Sequence, residues 1–596
     1  MKTSSKNLLL RTAAIVCAAA PLHFSSAASE AAERTFRMEA YGVRPGADSL
    51  SVRIDRALRS IRASLKKGDR AVVKFQRGTY RFRPEESVVR EFYISNHDQP
   101  VQHPTAFCIE AWENITVDGS GAEFLCTGRM LPFAISKSRN VTLRHLSIDF
   151  DVPHISQVEV VRNDEGGIRF RPSAEVSWRV NDAGRFEAQG EGWAMTYNTG
   201  IAFDGTHRYI VPQTADLWID MADCRDEGNG EVTAPKWTDA RLKPGTRVAL
   251  RSYARPAPAI VVTESEGVSL RELTVYYAEG MGLVAQRSEN LHLNGFRVVP
   301  NKAKGRYFST QADATHFVQC KGNILVENST FDGMMDDAIN VHGVYLRVRE
   351  RQDDHTLRLR FEHNQAYGYT WGNAGDTVAF VRSATMDALP HRNVISSIRQ
   401  ESPYEFLVRF RDALPASIDA TEGYGAENLT WTPSVTFRRC TVRNNRARGA
   451  LFSSPRATVC EDNTFDHTSG TAILLCGDCN GWYESGAVRH LTIRRNRFIN
   501  ALTSLYQFTS AIISIYPEIP NLDASTTCFH GGTPDAIRID DNVFETFDAP
   551  LIYAKSTDGI VIRGNKVKRN HDFEAFHPNQ QPLLFEHCKR VEAQDF

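Results

Sequence analysis

Ten segments of the chain share one form: a polar residue or glycine, a short run of alternating apolar positions, and a small polar turn. They begin at Asn114, Asn140, Gly267, Asn290, Asn323, Ser434, Ala457, Val488, Ala536 and Gly559, and "NVTLRHLSIDF", "GVSLRELTVYY" and "AIRIDDNVFET" are typical. Neighbouring starts lie 26 (Asn114 to Asn140), 23 (Gly267 to Asn290), 33 (Asn290 to Asn323), 23 (Ser434 to Ala457) and 23 (Ala536 to Gly559) residues apart, inside the roughly 20–50 residues of repeat architectures. Each unit holds two short strands of period-two alternation, with no helical periodicity long enough for a leucine-rich or helical repeat. One such unit cannot bury its apolar face alone. Stacked at about 4.8 Å per strand, successive units align inward Val, Ile, Leu and Phe into continuous ladders. The expected fold is all-β, a right-handed parallel β-helix, with a β-sandwich of coincidental spacing as the alternative.

The period breaks twice, over 155–255 and 345–432. Both stretches are β-rich, with alternation in "GIRFRP", "VSWRV", "LRLRFEH" and "FLVRFRD" between Gly, Asp and Pro turns. "KPGTRVALR" and "NAGDTVAFVR" near their ends share a Gly-x-x-Val-Ala core. They read as two small β-barrels inserted into the helix. The expected order is a signal peptide over 1–28, N-terminal rungs over 35–154, a barrel over 155–255, central rungs over 256–344, a second barrel over 345–432, and C-terminal rungs over 433–596.

The leader runs from Lys2, Lys6 and Arg11 through a short apolar stretch to a small-residue site near Ala28, the form of an export signal, so the chain is expected to be secreted or periplasmic. No segment is long and apolar enough to span a bilayer. Lys plus Arg number 70 and Asp plus Glu 71, so no net field favours a polyanion and nucleic acid is not an expected partner. The oligomeric state is left open, a homodimer included. Ten cysteines after the leader are sparse for such a length, so disulfides cannot be the framework. "CGDC" at 476–479 has zinc-ligand spacing but no companion pair, which favours a local disulfide or two free thiols. Asn114, Asn140 and Asn328 match the glycosylation pattern, yet each sits where a rung needs a turn-forming residue.

Chemistry concentrates at "DGMMDDAINVHG" (332–343), where Asp336 and Asp337 adjoin, and at "RYFSTQADATHF" (306–317), where Asp313 lies 23 residues before Asp336. One rung apart, Asp313 is expected to stack near the pair and bring three carboxylates onto one surface. Like charges so close push one another's pKa values apart, which yields an acid and a base. Hydrolysis of a glycosidic bond needs that pair: a donor for the leaving oxygen and either a base for water or a nucleophile. Calcium binding lacks a D-x-D-x-D-G run. Asn340 and His342 follow the pair and Arg306 and His316 flank Asp313, so these four are candidate sugar or carboxylate partners. Trp371, Tyr367 and Tyr369 are candidates for stacking on a sugar, or for barrel core.

"QAD" at 311–313, "DGMMDDAINVHG" on β-helix rungs, two inserted β-rich segments and the leader together resemble glycoside hydrolase family 110, over most of the chain from about residue 35 onward. The resemblance implies an exo-acting, inverting α-1,3-galactosidase of the kind that removes terminal galactose from blood group B antigen. It implies Asp336 as general acid, Asp313 and Asp337 as base or bases holding the water, a glycan substrate, and neither metal nor cofactor. The layout is also similar to polygalacturonases, which pair an Asn-Thr-Asp, an Asp-Asp and a His-Gly element. Here Gln311-Ala312 replaces the Asn-Thr, and no Arg-x-Lys follows His342-Gly343. A non-catalytic carbohydrate-binding β-helix is the remaining alternative, disfavoured because a binding surface has little use for three mutually repelling acids.

Overall fold

A computed structural model describes residues 32–421, 423–505 and 510–594; the leader at 1–28 lies outside them. The repeat units form a parallel β-helix. In one long sheet, Ile115, Val141, Val268, Leu291, Ile324, Val435, Thr458, Leu491, Ile537, Ile560 and Val591 occupy the same register position on successive rungs. The inward ladders form one continuous core, in which Phe465, Phe498 and Phe544 stack at 5.3 and 5.0 Å. Where the chain turns inside that core, asparagines stack as well: the side-chain amide of Asn463 donates to Asn496, Asn496 to Asn542 and Asn542 to Asn565, at 2.9, 3.0 and 3.0 Å.

The outer turns explain the sequon-like asparagines. Asn114, Asn140 and Asn328 all take left-handed backbone, with φ of 58°, 53° and 53°, a conformation asparagine tolerates better than most residues. Asn140 also donates its amide to Asn114 at 2.9 Å. One helix, Leu50–Ser64, was not expected from the repeat. It buries Leu50, Ile54, Ala57, Leu58 and Ile61 on a single face against the first rungs, and Ser51 donates to the Thr105 carbonyl at 2.7 Å. Such a cover protects an otherwise open end of stacked strands.

The first interruption holds an antiparallel seven-stranded sheet and a separate three-stranded sheet around a core of its own that includes Phe170, Phe186 and Trp237. The second is a ring. Ile339–Asp353 pairs with Thr356–Arg360, which pairs in turn with Glu405–Phe410, Ala388–Gln400, Thr377–Arg382 and Tyr424–Asn428, and the last returns to Ile339–Asp353. This closure leaves no free edge. Ile339–Asp353 starts as a rung of the second parallel sheet, beside Thr315–Val318 and Ala450–Phe452, and runs on into the ring. The segment after the aspartate pair is thus held by helix and barrel together. All ten cysteines among the described residues are free thiols, Cys476 and Cys479 among the buried ones.

Candidate active site

The three aspartates meet, in a register different from the one their spacing predicts. Thr315 pairs with Ile339 and the Ala314 amide donates to the Asp337 carbonyl at 2.7 Å, an offset of 24 residues (339 − 315). Asp313 therefore stands in the column of Asp337, not of Asp336, because the loop between these two rungs carries one residue more than the 23-residue period. The next rung pairs Ile339 with Ala450, which puts Arg448 below Asp337. Arg448 closes the column: its amide donates to Asp337 Oδ1 at 2.9 Å and its guanidinium to Oδ2 at 2.8 Å. One oxygen from each of the three carboxyls lies within 4.8 Å of the others, and all three residues are buried.

They line a cavity of about 540 Å³, a size typical of small-ligand sites. The helix supplies its floor through Met281, Asp313, His316, Asp336, Asp337, Asn340 and Arg448. The first insertion brings Asp216 from its middle and Arg251, Tyr253 and Arg255 from its end, and the 476–484 loop brings Asp478, Trp482 and Glu484. Arg446 holds Asp216 through two hydrogen bonds, 3.0 and 2.7 Å, and stands 3.6 Å from Asp336.

Burial drives the three pKa values apart. It pushes Asp313 well above the carboxylate range, with the Asp336 charge adding to the effect. Asp337 also rises, because burial and its neighbours Asp336 and Asp313 outweigh Arg448. Burial pushes Asp336 the same way, but Arg446, Arg448, Arg255 and Arg251 overcome it and hold that carboxyl below its ordinary value. Asp336 Oδ1 is buried and makes no hydrogen bond, although Arg446 Nη1 stands 3.6 Å from it. The convergent carboxyl oxygens are the donor set here that a cation would find. His316, His342 and Glu484 also converge, but the two ring nitrogens sit 2.8 Å apart, a hydrogen-bond distance, whereas two nitrogens each about 2.0–2.1 Å from a tetrahedral ion lie further apart.

The flanking candidates divide. His316 bonds Asp313 Oδ2 through Nδ1 at 2.6 Å and faces the cavity, as does Asn340, whose buried Oδ1 has no partner. His342 lies behind His316, outside the cavity wall. Two expectations are corrected. Arg306 is turned away from the site, its guanidinium donating to Asp149 at 2.5 Å and Glu175 at 2.7 Å, because that buried acid pair competes successfully for it. Trp371 is fully buried in the core of the second barrel, its Nε1 donating to the Val344 carbonyl at 3.0 Å, so it offers no face to a sugar. Tyr369 belongs to that core, and Tyr367 stacks on Tyr404 with ring centres 4.1 Å apart. Trp482 and Tyr253 are the aromatic residues at the cavity among the described residues. Trp482 is 37% exposed at the cavity wall, with His363 stacked on it at 4.1 Å. Arg446 and Arg448 were legible in principle: the rung offset of 111 residues (450 − 339) sets "NNRARGA" below the aspartate pair.

The comparisons agree with this architecture. Residues 156–248 match the family model of GLAA-B β-barrel domain I, and residues 356–422 match GLAA-B β-barrel domain II. The chain is 48% identical over 574 residues to Alpha-1,3-galactosidase B of Bacteroides fragilis (95% of this chain, 96% of the relative). It is 47% identical to Alpha-1,3-galactosidase B of Parabacteroides distasonis (94% and 92%), and 32% identical to Alpha-1,3-galactosidase A of Bacteroides fragilis (87% and 85%). Among solved structures, the A-module of an Azotobacter vinelandii mannuronan C-5 epimerase aligns over 92% of this chain and 97% of its own at 9% identity and a TM-score of 0.36, too weak a likeness to carry argument.

Proposed function

The chain belongs to glycoside hydrolase family 110, and on that premise we propose that it removes terminal α-1,3-linked galactose from the non-reducing end of glycans, outside the cytoplasm, by an inverting acid–base mechanism. The observation that carries the reading is the convergence of Asp313, Asp336 and Asp337 in one small cavity. In this reading Asp336 is protonated in the substrate complex and gives that proton to the leaving oxygen. Water attacks the anomeric carbon from the opposite face, and Asp337 with Asp313 orients it and takes its proton. One oxygen of each carboxyl lies within 4.8 Å of the others, closer than the about 6.5–9.5 Å usual for an inverting pair and nearer the about 5–5.5 Å of a retaining one. The anomer of the first-formed sugar therefore tests the assignment, in which Asp313 and Asp337 on adjacent rungs hold the water jointly. Trp482 is placed to stack on the sugar, and Asn340 Oδ1 to accept from a hydroxyl.

A second reading exchanges the roles, and one observation favours it: four guanidinium groups hold Asp336 ionised when the cavity is empty. Aryl galactosides separate the two. If Asp336 is the donor, Asp336→Asn recovers on substrates with good leaving groups while Asp337→Asn does not; the reverse pattern assigns Asp336 as base. Inversion itself is read from the first-formed sugar, which proton NMR should show as β-galactose. The favoured substrate is branched blood group B trisaccharide, since an exported enzyme of this type meets host mucin glycans. A side-by-side assay against linear α-1,3-galactobiose tests this, and equal kcat/KM on both would overturn it. Activity only on polygalacturonate would transfer the reading to a polygalacturonase. Hydrolysis should persist in chelator.

A further inference from the structure

Behind Asp313 runs a chain of hydrogen bonds whose far end is fixed by a group that can only accept. His342 Nδ1 lies 2.7 Å from the Gly343 carbonyl oxygen, so that nitrogen carries the hydrogen. A neutral His342 then has a bare Nε2. His316 Nε2 lies 2.8 Å from it, and one of the two nitrogens must donate, so His316 carries its hydrogen on Nε2. A neutral His316 is therefore bare at Nδ1, and Nδ1 is the atom 2.6 Å from Asp313 Oδ2. An ionised carboxylate has no proton to offer there. The contact is a hydrogen bond only if Asp313 Oδ2 is protonated or if one of the imidazoles is charged, because a second proton on His316, or one on His342 Nε2 donated to His316 Nε2, would free His316 Nδ1–H for the carboxylate.

The surroundings decide against a charged imidazole at either position. His316 and His342 are each almost wholly buried. Burial, with His342 adding to it, holds His316 well below the ordinary histidine range, while Asp313 is pushed up. The charged or titratable groups facing this chain are Asp336, Asp337, Arg255, Arg448, Glu484 and His97. Of these, Glu484 stands 3.4 Å from His342 Nε2, outside hydrogen-bonding geometry.

We propose that His342 and His316 are positioning residues that lock a proton on Asp313 Oδ2, so that Asp313 enters turnover as a neutral acid and Asp337 alone takes the proton of the attacking water. The proposal deepens the reading of the trio as the catalytic group and rests on it. Asp313 accepts a hydrogen bond from the water through its other oxygen and keeps its own proton throughout.

The resting protein tests the lock without any substrate. Nitrogen-15 NMR of histidine-labelled protein should show His316 as the neutral Nε2–H tautomer and His342 as the neutral Nδ1–H tautomer, assigned by loss of each signal in His316→Gln and His342→Gln. The infrared difference between wild type and Asp313→Asn at neutral pH should contain the carbonyl stretch of a protonated carboxyl. A doubly protonated imidazole at either position, or a carboxylate band alone, overturns the proposal whatever glycoside the enzyme hydrolyses. Kinetics then reads the consequence. His342→Leu removes the acceptor for His316 Nε2–H, letting His316 turn its hydrogen toward an ionised Asp313. The basic limb of kcat should move to lower pH by about one unit, the scale of one buried hydrogen bond, with KM within about twofold because His342 is outside the cavity wall. His342→Gln, whose amide oxygen accepts in place of Nε2, should restore the limb. A His342→Leu enzyme with lowered Tm and an unmoved limb would reduce His342 to a structural role and sink the proposal.

Discussion

Two columns of stacked polar side chains run through this β-helix, and they use the same backbone geometry to opposite ends. In the turn ladder Asn463, Asn496, Asn542 and Asn565 stack one per rung, each amide donating to the next carbonyl oxygen. An amide is both donor and acceptor, so its stack satisfies itself and contributes stability. In the cavity Asp313 stacks on Asp337, two groups that only accept when ionised, and the column closes at Arg448. Repetition of a self-complementary group makes a strut. Repetition of a group that conflicts with itself stores a proton, and that is useful to an enzyme.

The largest effect is expected where the second column closes. Arg448→Met leaves the buried Asp337 without the guanidinium that pairs with it, which should cost about 3–5 kcal/mol in chemical denaturation where Asp337 is ionised. The loss should be greatest at high pH and shrink as acid protonates Asp337. Adding Asp337→Asn should recover stability without activity, and a double variant as unstable as the single would show that Arg448 serves packing instead. Next in size, Asp336→Asn and Asp337→Asn should each lower kcat at least about 10²-fold on natural glycans, the usual scale for acid–base groups. Retention of a tenth of the wild-type rate would remove that residue from the chemistry.

These two columns also mark what the sequence could tell. The rung period, the two interruptions and the Asp313–Asp336–Asp337 cluster were visible because each is a local pattern. The partner within the column was not: a loop one residue longer than the period moves Asp313 from Asp336 to Asp337, and spacing alone cannot place the extra residue. Arg251, Arg255 and Trp482 escaped notice because an insertion and a loop carry them to the cavity from 58 (313 − 255) to 169 (482 − 313) residues away from Asp313 in sequence. Trp371 misled because an aromatic beside glycines reads the same whether it faces a sugar or, as here, a barrel core. The Leu50–Ser64 helix went unread because it occurs once, outside the repeat.

A smaller effect converts one column into the other. In Asn496→Asp the new carboxyl faces Asn542 Oδ1 and the Cys460 carbonyl, both acceptors now served by the Asn496 amide. Its folded-state pKa must rise, so the folded protein binds more protons than the unfolded one above about pH 4, and stability falls as pH rises. We expect a loss of about 2 kcal/mol at pH 7, within the about 1–3 kcal/mol for an unsatisfied buried group. The deficit should narrow toward pH 3, with kcat unchanged. Native Asp313 and Asp337, both raised, follow the same sign, and a pH-independent deficit in Asn496→Asp would break the analogy.

The smallest effect belongs to the outer turns, where the ladder is wet. Asn114 and Asn140 stack like the buried asparagines, amide to carbonyl at 2.9 Å, but the contact is exposed. Water replaces what the amide gives up, so losing the bond should cost little. What the position requires is backbone: φ is 58° at Asn114 and 53° at Asn140, and the next rung carries Gly267 in the same column at 66°. The fold therefore already tolerates glycine there. Asn140→Gly should change stability by no more than about 0.5 kcal/mol, the range of ordinary surface substitutions. Asn140→Val, whose branched side chain resists positive φ, should cost about 1 kcal/mol or more. Equal losses in the two variants would mean that the amide, not the left-handed turn, is what these asparagines provide, and the wet ladder would then have to be counted with the buried one.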